Sequence, residues 1–345
     1  MNATLSSGSL PVMRVHYAEI LCQLAEERGV RRSDLVSVAG IRNSQLSHPD
    51  NFITLDQFTA LCQQALTRCG DECLGLEYGK RLKFTAHGAL SQAAISCDTL
   101  EQALAVLIKY FRIRFAYMLL AFFVEDEDAV IQLEIHHDTE KLHRFNIEVV
   151  MATLMDVNYL LFGTQLLDGG RCLVDYPRPE DVERYQYLFG GKVTFSAGVN
   201  QLRFRKSFLG LPMSLSNPVA RRVAEAQCEE EMRQMEASAS VSDRVLRLLE
   251  SARDGRLPGL EDVAQQMGVS PRTLRRQLSA EGGGFHGLQE SVRHQRAREL
   301  LLRHSAMSID EIAEHLGYSD PSNFGRAFRK WEGVSPSAWR RDNQI

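Results

Sequence analysis

The strongly apolar stretch from Tyr117 to Val124 has eight residues, ten with the preceding Phe115 and Ala116, well short of the ~18–20 needed for a membrane-crossing helix. A transmembrane segment is therefore not expected. No basic stretch followed by an apolar core opens the chain, so a secretory signal is not expected either, and the reading is a cytoplasmic protein without a membrane partner. The seven cysteines form an odd set without a C-x-x-C pair. They suit free thiols in a reducing compartment better than a disulfide framework. Cys62, Cys69 and Cys73 could be read as zinc ligands, but they lie among helix-patterned apolar residues, where cysteine is commonly buried. His136 and His137 with His143 read more simply as a surface cluster than as a metal site. Also missing are the G-x-S-x-G, G-x-x-x-x-G-K-[ST] and H-E-x-x-H patterns. The sequence thus offers no catalytic residue, no metal site and no cofactor.

Lysine is scarce where it would be most telling. From Val241 to Ile345 there are 16 basic residues against 14 acidic ones, and Lys330 is the only lysine among them. The rest of the chain is acidic enough to bring the total to −4. Arginine is the cation suited to forked hydrogen bonding with phosphate or guanine, although solvated helix faces use it too. At 44% hydrophobic and 24% charged the composition is that of a globular protein. The length calls for at least two domains.

The first part reads as α+β. Thr54-x-x-Gln57 is a capping box that opens a helix with Leu55, Phe58, Leu61, Cys62, Ala65 and Leu66 on one face. Tyr17–Arg28 and Leu100–Phe111 have similar helical spacing. Ala121–Val124 and Val130–Ile135 predict a hairpin around the acidic tip 125–128. A long helix is expected from Thr139 to Phe162, a strand over Cys172–Tyr176, a helix over Pro179–Phe189, and strands at Val193–Phe195 and Gln201–Phe204. Residues 1–210 are thus expected to form an α+β effector-sensing and dimerising domain, and 211–240 an interdomain helix, capped by Asn217 and begun by Pro218, with a Ser-Ala-Ser linker. Residues 241–345 read as an all-helical domain.

That last domain contains a repeat. Val263-Ala264-x-x-Met267-Gly268-Val269-Ser270 recurs 49 residues later as Ile312-Ala313-x-x-Leu316-Gly317-Tyr318-Ser319. Each copy has a short amphipathic helix, a glycine for a sharp turn, a polar cap and a proline opening a second helix, which is the pattern of a helix-turn-helix unit. The two units span 260–280 and 309–331. Their second helices present Arg272, Thr273, Arg275 and Arg276 in one copy, and Ser322, Asn323, Arg326 and Arg329 in the other. Such side chains suit base edges in the major groove; the alternative is a solvated arginine-rich face. A single helix is expected between the units, from Phe285 to His304, about 30 Å long. Its Arg293, Arg296 and Arg303 suit either ion pairs or phosphates.

From Leu260 to Arg341 the sequence resembles the tandem helix-turn-helix domain of the AraC/XylS transcription regulators, most closely over Ile309-Asp-Glu-Ile-Ala-Glu-His-Leu-Gly-Tyr-Ser-Asp-Pro-Ser-Asn-Phe-Gly-Arg-Ala-Phe-Arg-Lys-Trp-Glu-Gly-Val-Ser-Pro-Ser-Ala-Trp-Arg340. It departs from that family at Gly282-Gly283-Gly284 and at Glu332. The N-terminal part is similar to the subgroup with an arabinose-binding-type, ornithine-regulator-like domain. That likeness runs through Ile53–Phe58, Leu74–Gly79, Gly88–Leu90, Thr99–Leu104 and Tyr187–Gly190, on to Val193–Phe195 and Asn200. The resemblance implies a cytoplasmic regulator, in the family's majority an activator, that binds promoter DNA, RNA polymerase and a small-molecule effector, and dimerises. An architectural DNA binder without a ligand, or a repressor, is the alternative. For the effector, Tyr110, Arg112, Arg114 and Tyr117 mix cations with aromatics beside the most apolar stretch. That mixture is expected to suit an anionic metabolite with an apolar body, such as a fatty acid or an amino-acid-like compound, unless the aromatics belong to the core.

Overall fold

The structure, a computed structural model, describes residues 11–48, 51–115, 117–135, 142–163, 169–190, 192–238, 240–252, 257–303 and 307–343. His136 and His137 lie outside the described residues. Two compact units are formed, Gly8–Ala237 and Ser238–Ile345. Residues 211–237 therefore belong with the first unit.

The first unit contains β1 (Pro11–Arg14), α1 (Val15–Glu26), α2 (Arg32–Val38), α3 (Asn43–Leu46), β2 (Phe52–Thr54), α4 (Leu55–Cys69), α5 (Leu74–Arg81), α6 (Ala89–Ile95), α7 (Leu100–Tyr110), β3 (Met118–Glu125) and β4 (Asp128–Ile135). It continues through α8 (His143–Phe162), β5 (Arg171–Leu173), α9 (Glu183–Phe189), β6 (Val193–Thr194), β7 (Gln201–Arg205) and α10 (Pro218–Ser238). The expected capping box is present: Thr54 Oγ1 accepts from Gln57 N–H at 3.1 Å, and Gln57 Oε1 accepts from Thr54 N–H at 3.0 Å. Gly70, with φ of +61°, ends that helix in a conformation few other residues adopt. The hairpin around the acidic tip forms with full register from Met118↔Ile135 to Glu125↔Asp128. It is the edge of a five-stranded sheet in the order β3-β4-β7-β5-β6, in which only the β5 and β6 pair is parallel.

Helix α8 runs through the core. It is long and apolar enough to cross a membrane by length and composition, a property hidden in the sequence because Asn146, Glu148, Thr153, Asp156 and Asn158 interrupt its apolar runs. Here it is packed inside the unit, with Ile147, Val149, Val150, Met151 and Ala152 buried. Helix α5 crosses it at Gly75 and Gly79. A Cβ at Gly75 would lie 2.7 Å from the Phe145 carbonyl oxygen, and one at Gly79 would lie 2.5 Å from that of Val149. The glycines are there for closeness, not for an unusual φ.

The same crossing buries Glu148 completely. Arg144 Nε donates to Glu148 Oε1 at 2.6 Å, and the Tyr185 hydroxyl donates to the same oxygen. Burial outweighs these partners and pushes the Glu148 carboxyl up to about 7. A carboxyl that gains affinity for its proton on folding stabilises the fold most at low pH, and that contribution is lost as pH rises through 7. The Tm of the first unit is thus expected to fall by a few degrees more between pH 5 and pH 8 than that of Glu148→Gln. Parallel Tm curves for the two proteins would contradict the buried-carboxyl account.

Among its described residues the second unit has only helices: α11 (Val241–Ser251), α12 (Leu260–Gln266), α13 (Pro271–Ala280), α14 (Phe285–Arg303), α15 (Ile309–His315), α16 (Pro321–Glu332) and α17 (Pro336–Asn343). It has two small cores. Leu274 and Leu278 of α13 pack with Val245, Leu249, Val263 and Ala264, and Phe324 and Phe328 of α16 pack with Ile312, Ala313, Leu316 and Trp339. Helix α14 joins them, giving Leu288 and Val292 to the first and Ala297 and Leu301 to the second. All seven cysteines are free thiols.

Candidate nucleic-acid interface

The repeat seen in the sequence is also a repeat of hydrogen bonds. After α12, Gly268 adopts φ of +68° and Val269 N–H reaches the Ala264 carbonyl at 3.0 Å. After α15, Gly317 adopts φ of +80° and Tyr318 N–H reaches the Ala313 carbonyl at 2.9 Å. Each glycine lets the chain double back without Cβ strain, so the next helix leaves at a fixed angle. Ser270 Oγ then caps α13 by accepting from Thr273 N–H at 3.1 Å, and Asp320 Oδ1 caps α16 by accepting from Ser322 N–H at 2.7 Å. Proline follows each cap, at a position where its missing N–H costs nothing.

The capped helices each bury one apolar stripe and expose a polar face. Arg272, Arg275 and Arg276 are exposed on α13, and Ser322, Asn323, Arg326 and Arg329 on α16. Thr273 differs from its neighbours: it is half-buried and its hydroxyl lies 2.8 Å from the cap Ser270 Oγ. Arg326 Nη2 donates to Asn323 Oδ1 at 2.6 Å, which holds the two side chains together on the outer face.

Three further arginines in this unit have internal duties. Arg296 Nη2 donates to the carbonyls of Leu249, Glu250 and Ala252 at 3.0, 3.2 and 2.6 Å, closing the end of α11. Arg293 lies over the Tyr318 ring, and Arg298 lies over Trp339 while pairing with Glu332. Glu332 also meets His294 Nε2 at 2.5 Å, so the acid that departs from the family pattern ties α16 to α14. The side chain of Arg303 lies outside the described residues. Sequence reading did not separate α11 or its cap: Glu281, at the end of α13, accepts from the N–H groups of Val241 and Ser242 at 2.8 and 2.9 Å. The signal was a stripe of Val241, Val245 and Leu249 after Ser240.

The four residues expected to hold an effector do not line one cavity. Tyr110 is buried and donates its hydroxyl to Glu229 Oε1 at 2.7 Å. Lys109 reaches the same oxygen at 2.6 Å. Arg114 is buried with Nε on the His87 carbonyl at 2.9 Å and Nη1 on Glu231 Oε2 at 2.5 Å. Burial raises the Glu231 carboxyl, but Arg114 more than offsets this and holds it below the usual carboxylate range. Glu229 and Glu231 both belong to α10, which also buries Ala224 and Cys228 against α6 and α7. These cations thus fasten α10 to the unit. Tyr117 donates to Asn146 Oδ1 inside the core at 3.1 Å, and Arg112 Nε is buried without a partner. Arg114 alone of the four borders the polar cavity of about 540 Å³ that Arg14, His16 and Lys83 also line.

A small helical domain with two capped helix-turn-helix units and two exposed polar helices, joined in one chain to an α/β domain, defines a DNA-binding transcription regulator with a sensing domain. Comparison with known sequences agrees. The profile described as the arabinose-binding domain of AraC transcription regulators matches residues 29–213, and a helix-turn-helix profile matches 263–342. The ornithine utilization regulator of Pseudomonas aeruginosa is 35% identical over 94% of this chain and 95% of its own length. An uncharacterized HTH-type transcriptional regulator of Mycobacterium tuberculosis is 28% identical over 95% of this chain and 96% of its own. The crystal structure of the Pseudomonas aeruginosa regulator CdpR aligns with a TM-score of 0.44 at 24% identity, covering 90% of this chain and 96% of that one. The chain belongs to the AraC family of transcription regulators, with a ligand-binding N-terminal domain and a helix-turn-helix DNA-binding domain.

Proposed function

We propose that α13 and α16 are recognition helices that read two adjacent major-groove segments of a promoter. What carries this reading is the repeated exposure of a polar face on two helices with matching caps, α14 lying between them. At ~1.5 Å per residue the 19 residues of α14 make a rod of about 28 Å, close to the ~34 Å between successive major-groove faces on one side of B-DNA. Arg272, Arg275, Arg276, Arg326 and Arg329 then supply forks for guanine O6 and N7 or for phosphates, and Asn323 the amide for an adenine. Ser322 meets the backbone, and Thr273 contributes through the cap it completes. Regulation follows from binding without turnover, in the bacterial cytoplasm where the promoter lies. An effector held by the first unit shifts a dimerising protein between two states that differ at α10, and the DNA-bound state recruits RNA polymerase as an activator.

Arg276→Ala and Arg326→Ala test it. Each is expected to weaken operator binding by about 1–3 kcal/mol, roughly 5- to 150-fold, and to relax base preference at one position. Quantitative footprinting at fixed salt measures both. Unchanged affinity and unchanged preference in the two variants would sink the assignment of the recognition helices.

A further inference from the structure

The effector side of this reading has a candidate site in a place the sequence did not point to. Between α7, α8 and the inner face of the sheet lies a cavity of about 90 Å³. Its walls include Leu104 and Leu107 from α7, Met155 and Leu161 from α8, and Leu202 and Phe204 from β7. Besides Arg171 and Arg203, one wall residue breaks the apolar surface. Asn158 is only 8% exposed, and both its Oδ1 and its Nδ2 are buried without a hydrogen-bond partner.

An amide buried with neither group paired is costly, and a leucine at this point of α8 would remove the cost. Its presence beside a cavity points to a partner that arrives from outside. That partner must accept from Nδ2 and donate to Oδ1, as another amide does. Charge narrows the class further. The two cations at the rim, Arg171 and Arg203, are already held by carboxylates, both by Asp128 and Arg203 also by Glu125. A carboxylate or ammonium entering this space would be stripped of water with no counter-charge inside. A second apolar gap of about 40 Å³ lies on the far side of Phe84, Leu107, Leu154 and Val157, which line both spaces. Rotation of these shared apolar side chains would join the two into a space longer than it is wide. His87 borders the far gap, and burial, followed by the nearby Arg114, pushes its imidazole down to about 3, so that end is uncharged as well.

We infer that this cavity is the effector site and that its ligand is an uncharged molecule with a medium-length apolar body and an amide-like head paired with Asn158. The inference rests on the reading of the first unit as an effector domain, and it differs from the anionic ligand expected around Arg112 and Arg114. It also separates this chain from a regulator of ornithine utilization, because ornithine is charged at both ends.

Calorimetric titration of the full chain with octanamide, octanoate and ornithine tests the site. Octanamide is expected to bind and to raise the Tm, octanoate to bind about tenfold more weakly or worse, and ornithine not to compete. Asn158→Leu is expected to weaken octanamide about tenfold or more while raising the Tm of the ligand-free protein. Leu107→Trp, which fills the wall between the two gaps and leaves Asn158 in place, is expected to block binding. The site is overturned by the absence of heat and Tm shift with octanamide, by octanoate being the tighter ligand, or by equal affinity in Asn158→Leu. Footprinting on promoter DNA, with and without octanamide, runs beside it. A footprint without octanamide binding overturns the ligand site and leaves the DNA-binding reading intact; octanamide binding with no footprint in either condition does the reverse.

Discussion

Gly79→Ala is expected to lower the stability of the first unit by about 3 kcal/mol, near the upper end of what overpacking costs. The added Cβ would meet the Val149 carbonyl oxygen at 2.5 Å and the Ala152 Cβ at 2.8 Å. Neither atom belongs to a flexible side-chain end, so the two helices must move apart. Helix α8 cannot move alone, because it also carries Glu148 and one wall of the apolar cavity. For a unit of this size the change corresponds to a Tm lower by roughly 6–12 °C. It is to be measured on the first unit's own transition, since two units need not unfold together. Gly325→Ala is the contrast. That glycine lies in α16 with no atom within 4 Å of the added Cβ and no unusual φ, so it should gain about 0.5–1 kcal/mol of helix stability. If both substitutions have the same sign, the close crossing is not what Gly79 provides.

The second large effect concerns the fastening of α10. Glu231→Gln leaves the Arg114 guanidinium, whose side chain is 4% exposed, without its main counter-charge. Breaking a buried pair from one side costs about 3–5 kcal/mol, most of it the cost of the charge left behind. Removing both charges is far milder, so Arg114→Met with Glu231→Leu should recover most of the loss. Glu229→Gln is the surface control: its partner Lys109 is 58% exposed and pairs of that kind contribute under about 1 kcal/mol. Thermal unfolding of the four proteins decides the matter. Equal losses for Glu231→Gln and Glu229→Gln would contradict a buried anchor. Proteolysis of α10 adds a second measurement, with faster cleavage expected only in Glu231→Gln.

These two cases also show where the sequence stops being readable. In the second unit the two helix-turn-helix units and the helix between them could be read, because each of their signals is local: a cap two or three residues from the N–H it serves, a glycine next to the turn it permits, an apolar stripe within one helix. The same holds for Thr54 and Gln57 and for the hairpin around Asp126. The sensing half depends on pairs far apart in the chain. Tyr110 and Arg114 look like ligand residues until α10, more than a hundred positions later, brings Glu229 and Glu231 to them. Gly75 and Gly79 carry no local signal of their role until α8 is laid across them. Asn158 reads as one more polar break in α8, and only the packed cavity shows that nothing answers its amide. Glu332 is the converse, an anomaly in the pattern that has an ordinary partner in His294.

Helix α14 carries one more consequence, for the DNA. It is anchored at both ends, with Leu288 and Val292 in one core and Ala297 and Leu301 in the other. In a helix, distance and rotation are not independent: one added residue advances the far end by about 1.5 Å and turns it by about 100°. Under the proposed mode of binding, the gap between the two segments that a single chain reads cannot drift by lengthening the rod a little at a time, because the first step would turn the second helix out of the groove. Promoters under such a regulator should keep the spacing within each single-chain site constant and diverge in base identity instead.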